Sequence, residues 1–138
     1  VAHITPTALA GEAVRLFRSH HPDYADGGQL RDFVSVGDCA DLVGWLIDND
    51  VAGGILNCGT GAARSFADLA GAVFAALNRA PNITYVDTPA EIRDKYQYFT
   101  QADLTRLRSL GYDRQFTPLE AGVADYVKIY LITDDPHA

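Results

Sequence analysis

Arg31-Asp32-Phe33-Val34-Ser35-Val36-Gly37-Asp38 is the stretch on which the reading of the fold turns. Residues 32–36 alternate and are rich in β-favouring side chains, which predicts a strand. Gly37-Asp38 ends it, and Asp38 is placed to cap a helix over residues 40–49. Within that helix Leu42, Trp45 and Leu46 recur at i, i+3 and i+4, giving it one apolar face. The Gly53-Gly54 pair turns the chain back, and residues 55–58 (Ile-Leu-Asn-Cys) read as a second, buried strand.

Toward the C-terminus, Gly59-Thr60-Gly61 is a glycine turn leading to Ser65-Phe66-Ala67-Asp68. Ser65 is a natural N-cap with Asp68 in the capping-box position, and a helix through Leu77 follows. Pro81-Asn82 breaks that helix, residues 83–86 form a third strand, and Thr88-Pro89 opens a short helix. Residues 97–100 are expected to be extended, and residues 102–110 helical up to Gly111. Thr117-Pro118-Leu119-Glu120 combines N-cap, N1 proline and capping-box Glu ahead of a final helix. Leu119, Val123, Tyr126, Val127 and Tyr130 would form its apolar face, and the polar tail beyond residue 132 is expected to fray. Toward the N-terminus, Thr5-Pro6 reads as N-cap and N1 of a helix that ends before Val14. Residues 14–17 are extended, and residues 18–30 form a long surface loop of the kind that often binds ligands. Strands alternating with helices predict an α/β architecture.

Composition narrows the function classes. The 138 residues, 48% of them hydrophobic, suffice for one domain with a modest core. A formal net charge of −7 gives no support to nucleic-acid binding, which needs a basic face to displace counterions. No apolar run is long enough to span a membrane, so no membrane partner is expected and a cytoplasmic location is the default. Cys39 and Cys58 fit no metal or redox spacing and read as buried thiols. His20-His21-Pro22-Asp23 lacks the helical spacing of a metal site, so no metal is expected. The sequence begins at Val1 and has no methionine, which predicts a piece of a longer polypeptide.

Motif chemistry points to recognition rather than catalysis. There is no G-x-G-x-x-G, no G-x-S-x-G, and no lysine four positions after any tyrosine. The Gly59-Thr60-Gly61 turn reads as structural, although glycine turns at helix starts can also cradle phosphate. Arg31 either pairs with a surface carboxylate or presents its fork to a phosphate. Tyr96-Gln97-Tyr98-Phe99 is either core or a stacking platform, with core favoured by pattern.

Taken together, the R-D-F-V-x-V-x-D stretch and the N-x-G-T-G turn with its capped helix resemble the C-terminal half of extended short-chain dehydrogenase/reductases. The run Tyr96-Gln97-Tyr98-Phe99-Thr100-Gln101-Ala102-Asp103-Leu104, followed by Gly111-Tyr112-Asp113, closely resembles the ADP-L-glycero-D-manno-heptose-6-epimerase family. The resemblance runs over essentially all 138 residues. It implies the C-terminal, substrate-binding part of a Rossmann-type epimerase, with the dinucleotide-binding part absent and residues 1–138 acting as one region. It further implies NADP-dependent C-6 epimerisation of an ADP-heptose for lipopolysaccharide synthesis, in a cytoplasmic homo-oligomer. Family position assigns substrate contacts to His3, Phe17, Arg18, Ser19, His20, Arg31 and Tyr96, with Arg31 on the nucleotide diphosphate. The catalytic and NADP-binding residues of the family precede the point matching Val1, so none is expected here. The chain departs from the family in its longer 18–30 loop, in Ser35 where tyrosine is common, and in Cys58 where an aliphatic residue is usual. The alternatives are another nucleotide-sugar epimerase or dehydratase of the same superfamily, or a non-catalytic module that binds a sugar nucleotide or a partner protein.

Overall fold

A computed structural model describes residues 1–51 and 53–133; the end of the polar tail lies outside the described residues. In chain order the elements are α1 (Ile4–Leu9), β1 (Val14–Phe17), β2 (Leu30–Arg31), α2 (Val36–Asp48), β3 (Arg64–Ser65), α3 (Phe66–Ala76), β4 (Ile83–Val86), α4 (Ala90–Arg93), α5 (Thr105–Ser109) and α6 (Leu119–Tyr126). A π-helical turn over Val127–Leu131 continues α6.

β1 and β4 pair in parallel, with Val14 opposite Ile83 and Phe17 opposite Val86. Such a pairing requires a crossover, which the intervening chain provides by way of α3. β2 is an antiparallel partner of β3 and also takes a parallel bridge from Leu30 to Phe99. The Leu30 N–H donates to the Tyr98 carbonyl at 2.8 Å, and the Thr100 N–H donates to the Leu30 carbonyl at 3.2 Å. β2 therefore holds the 98–100 segment beside the glycine turn.

The core centres on α3, which buries Leu69, Ala70, Ala72, Val73 and Phe74. Phe74 and Ala70 pack against Ala8, Val14 and Leu16, whereas Leu69, Ala72 and Val73 pack against Val123 and Val127. A helix apolar on two faces is one sandwiched between layers. A separate cluster of Leu42, Leu107 and Tyr112, with Trp45, Leu46 and Phe116 against it, joins α2 to α5.

α3 starts as the local signals dictate. Ser65 Oγ accepts from the Asp68 N–H at 2.9 Å, and an Asp68 carboxylate oxygen accepts from the Ser65 N–H at 3.0 Å. Ser65→Ala is expected to cost about 1 kcal/mol, seen as a lowered urea midpoint. A loss below ~0.3 kcal/mol would show that tertiary packing alone sets this helix start.

Several expected elements differ from those observed. Residues 32–36 form no strand: after Arg31 the chain leaves the ladder, and the Asp32 side chain turns to the Thr60 and Gly61 backbone. Ser35, not Asp38, caps α2, its Oγ accepting from the Gly37 N–H at 3.2 Å. Asp38 lies inside the first turn, buried, where its carboxylate accepts from the Thr117 N–H and hydroxyl, both at 2.8 Å. Thr117 is thereby used up, and Pro118 takes the N-cap of α6 with no side-chain bond. Residues 55–58 form no strand, Ile55 is 87% exposed, and Cys58 is exposed rather than buried. α1 begins two residues earlier than Thr5 would set it, and Thr5 lies within it, its hydroxyl donating to the Val1 carbonyl. α5 begins only at Thr105, whose N–H donates to the Asp103 carboxylate at 2.9 Å. On α6 Val123 is buried, but Tyr126 and Tyr130 lie largely at the surface.

Candidate functional site

Arg31 ends β2 and points its guanidinium into a ring of aromatic side chains. Its carbon lies 5.7 Å from the centre of the Tyr96 ring and 5.8 Å from that of Phe66. Phe17, at the end of β1, meets Tyr96 edge-on at 6.1 Å. Rings at this range attract the cation and hold it in a defined direction. Two N–H groups of the fork donate to the Leu30 and Gln97 carbonyls, and the others find no acceptor among the described residues.

The charge around Arg31 is also resolved. Directly across the β2–β3 pair stands Arg64, and like charges so placed repel. Arg64 is neutralised by Glu120 at 2.6 Å and Asp68 at 3.3 Å. The adjacent Asp32 does not pair with Arg31. Its carboxylate accepts from the Thr60 N–H at 2.7 Å, the Gly61 N–H at 2.9 Å and the Ala102 N–H at 3.0 Å. Among the described residues Arg31 thus has no carboxylate partner, which removes the surface ion-pair reading. Burial raises the Asp32 carboxyl, but its bonds from Thr60, Ala102 and Gly61 outweigh that and hold it below the usual range.

The same contacts explain the glycine turn. A Cβ on Gly59 would stand 2.7 Å from Asp32 Oδ2 and 2.6 Å from the Ala102 Cβ. Gly61 has φ of +71°, where side chains are strained. The turn's N–H groups at Thr60 and Gly61 are already taken by Asp32, so they do not cradle a phosphate of a dinucleotide. The residues present therefore do not fit a nicotinamide dinucleotide at this turn.

Tyr96 and Tyr98 are half-buried and meet edge-on at 5.5 Å, while Phe99 is 51% exposed. The Tyr96–Phe99 segment is a surface platform, not core as its pattern favoured. Burial pushes the Tyr96 phenol up, with Arg31 opposing, so it stays protonated at neutral pH. The long loop reaches this platform through the His20 N–H, which donates to the Tyr98 hydroxyl at 3.0 Å, and through the His21 and Tyr24 rings, each 5.2 Å from the Tyr98 ring. Ser19 is turned inward on the loop, its N–H donating to Asp26 and its hydroxyl to the His21 carbonyl. The Arg18 carbonyl accepts from Thr88 and Gln29, and its side chain is exposed.

Of the seven residues assigned by family position, the structure brings Phe17, Arg31 and Tyr96 into one cluster. His20 adjoins it by its backbone. Arg18 and Ser19 follow Phe17 on the same loop. His3 stands exposed at the start of α1, and no described hydrogen bond or ring contact joins it to the cluster. Phe66 and Tyr98 belong to the cluster and were not singled out individually. Phe66 carried only a helix-start signal, and Tyr98 was visible only as part of an aromatic run. Two depressions, of about 730 and 620 Å³, include neither Arg31 nor Tyr96, although Phe99 lines the first. The candidate site is thus an open face. Among the described residues no group of His, Cys, Asp or Glu could hold a metal ion.

Comparison with known proteins places this face in context. An ADP-L-glycero-D-manno-heptose-6-epimerase of Nitratidesulfovibrio vulgaris strain Hildenborough is 52% identical over 124 residues, covering 90% of this chain. The chain is a homologue of one part of these heptose epimerases. It spans 38% of the length of that relative, and the matched part is C-terminal. The Helicobacter pylori heptose epimerase superposes with a TM-score of 0.71 at 26% identity, over 93% of this chain and 36% of that one. A Thermus thermophilus UDP-glucose 4-epimerase in complex with NAD superposes at 0.70 with 25% identity, over 89% and 37%. No family model matches the chain. The α/β fold is therefore that of the C-terminal portion of Rossmann-type sugar-nucleotide epimerases. No helix among the described residues is long and apolar enough to cross a membrane.

Proposed function

We propose that residues 1–138 form the substrate-binding region of an NADP-dependent epimerase acting on ADP-D-glycero-D-manno-heptose, in the route to lipopolysaccharide. The observation that carries this reading is Arg31. Among the described residues it is an arginine free of carboxylates, braced by Phe66 and Tyr96, with N–H groups still unused. A fork held in that way suits the paired oxygens of a diphosphate. The 52% identity to a heptose epimerase supports the choice of sugar over other nucleotide sugars. A non-catalytic module would need the same arginine, but the degree of identity gives it no separate support.

In this reading Arg31 orients the diphosphate, Phe17 and Tyr96 wall the sugar side, and the 18–30 loop with Arg18, Ser19 and His20 closes over it. His3 would contact the sugar from α1. The nicotinamide cofactor supplies hydride chemistry and is held by residues outside this chain, as are the acid and base. The protein is assigned to the cytoplasm as a homo-oligomer.

Arg31→Ala in the full-length protein is expected to weaken ADP-heptose binding by roughly 10–100-fold, since charge-assisted hydrogen bonds contribute about 1.5–3 kcal/mol. Titration calorimetry reads this directly. Arg31→Lys, which keeps the charge but not the fork, is expected to fall between. Unchanged affinity in Arg31→Ala would remove Arg31 from the diphosphate site, and no ADP-heptose binding by the wild type would end the reading.

A further inference from the structure

Cys39 and Cys58 are the only cysteines of the sequence, and they lie on two different pieces of the fold. Cys39 is in the first turns of α2, and Cys58 is at the end of the 55–58 segment. Both are free thiols, half-buried and exposed respectively. The Cys58 thiol donates to Cys39 Sγ at 3.7 Å. A disulfide needs sulfurs about 2.05 Å apart, so the gap to close is on the order of 1.5 Å.

The 55–58 segment can supply that movement. It has no ladder partner among the described residues, and it follows Gly53-Gly54. Leu56 packs in part against the Leu42, Leu107 and Tyr112 cluster, and the segment's polar ties are side-chain bonds, from Asn57 to the Asp103 carbonyl and from Arg106 to the Ile55 carbonyl. Either can follow a small shift. By contrast, the flanking residues are anchored. Asp38, before Cys39, holds Thr117, while Gly59, after Cys58, rests against Asp32.

We propose that Cys39 and Cys58 form a reversible dithiol–disulfide latch that ties α2 to the segment leading into the Gly59-Thr60-Gly61 turn. The oxidant is a small disulfide of the glutathione type. Cys39 attacks one of its sulfurs, releasing one small thiol and leaving a mixed disulfide. Cys58 then loses its proton to solvent and attacks Cys39 Sγ, releasing the second small thiol. The two protein thiols are oxidised and the small disulfide is reduced to two thiols. This order also suits Cys58, whose thiol is pushed up to about 11 by burial, by its bond with Cys39 and by the Asp38 and Asp32 carboxylates. Such a thiol attacks outside disulfides slowly but lies beside one formed on Cys39.

The test is oxidised glutathione added to the wild-type protein, followed by thiol titration, intact mass and peptide mapping. Both thiols are expected to disappear, with the mass lower only by the hydrogens lost and a peptide linking residues 39 and 58. The unfolding midpoint is expected to rise by roughly 5 °C, as closing a loop of this size restricts the denatured chain. Dithiothreitol is expected to reverse both changes. Cys58→Ser is expected to trap glutathione on Cys39. Persistent glutathione on the wild type, disulfide-linked dimers, unreacted thiols, or a bond that leaves the midpoint unmoved would each overturn the latch.

Discussion

Asp32→Ala is expected to lower the stability of the protein by about 3 kcal/mol, since it removes a charged acceptor serving several donors at once. Three backbone N–H groups, at Thr60, Gly61 and Ala102, converge on this carboxylate together with the Thr60 hydroxyl. They come from segments about 30 and 70 residues away, so no local rearrangement of one turn can satisfy all of them. Partial exposure lets water replace some of the bonds, which keeps the cost below that of a fully buried charge. Urea unfolding reads it, with Asp32→Asn expected to fall between. A loss under ~1 kcal/mol would show that water does the work of the carboxylate.

The acid dependence follows with a definite sign. The folded carboxyl titrates below its ordinary value of 3.8, despite burial, because the bonds from Thr60, Ala102 and Gly61 favour the charged form. A depressed folded value contributes stability that is fully present above the unfolded value. The difference between wild type and Asp32→Ala is therefore expected to be constant above about pH 5. It should shrink as the pH falls below about 4 and through the folded value.

Gly59→Ala carries the other large effect. Its added methyl would meet Asp32 Oδ2 at 2.7 Å and the Ala102 Cβ at 2.6 Å, both far inside contact distance. Neither neighbour can retreat without breaking the bonds just described, so a cost of about 2–3 kcal/mol is expected. In the Asp32→Ala background one of the two obstacles is gone and the Ala102 segment is released. The penalty of Gly59→Ala is then expected to drop by about 1 kcal/mol or more, a coupling that a double-mutant cycle measures. Additive effects would show that the turn is braced by something other than Asp32.

How much of this was legible beforehand varies with the range of the interaction. The capping box at Ser65 and Asp68 acts across three residues, and both its bonds form as expected. Residues 14–17 and 83–86 carry alternating or continuous apolar runs and do become β1 and β4. Residues 32–36 and 55–58 have equally good β composition, yet neither forms a strand. A strand exists only when a partner edge is present, and composition does not announce one.

Read alone, the chain specifies which stretches are helical, where α3 starts, and a family resemblance that points to Arg31 and Tyr96. Those features rest on neighbours within a turn or on short motifs. The fold decides what Arg31 and Asp32 each do. Adjacent in sequence, they diverge: one faces Tyr96 and Phe66, while the other binds the glycine turn and Ala102. It also decides that Asp38 serves Thr117 rather than a helix start, and that Cys39 stands beside Cys58. Each of these contacts joins residues 19 to 79 positions apart. Side chains that distant meet only through the path of the chain, and that path is set by the packing of α3 between its layers.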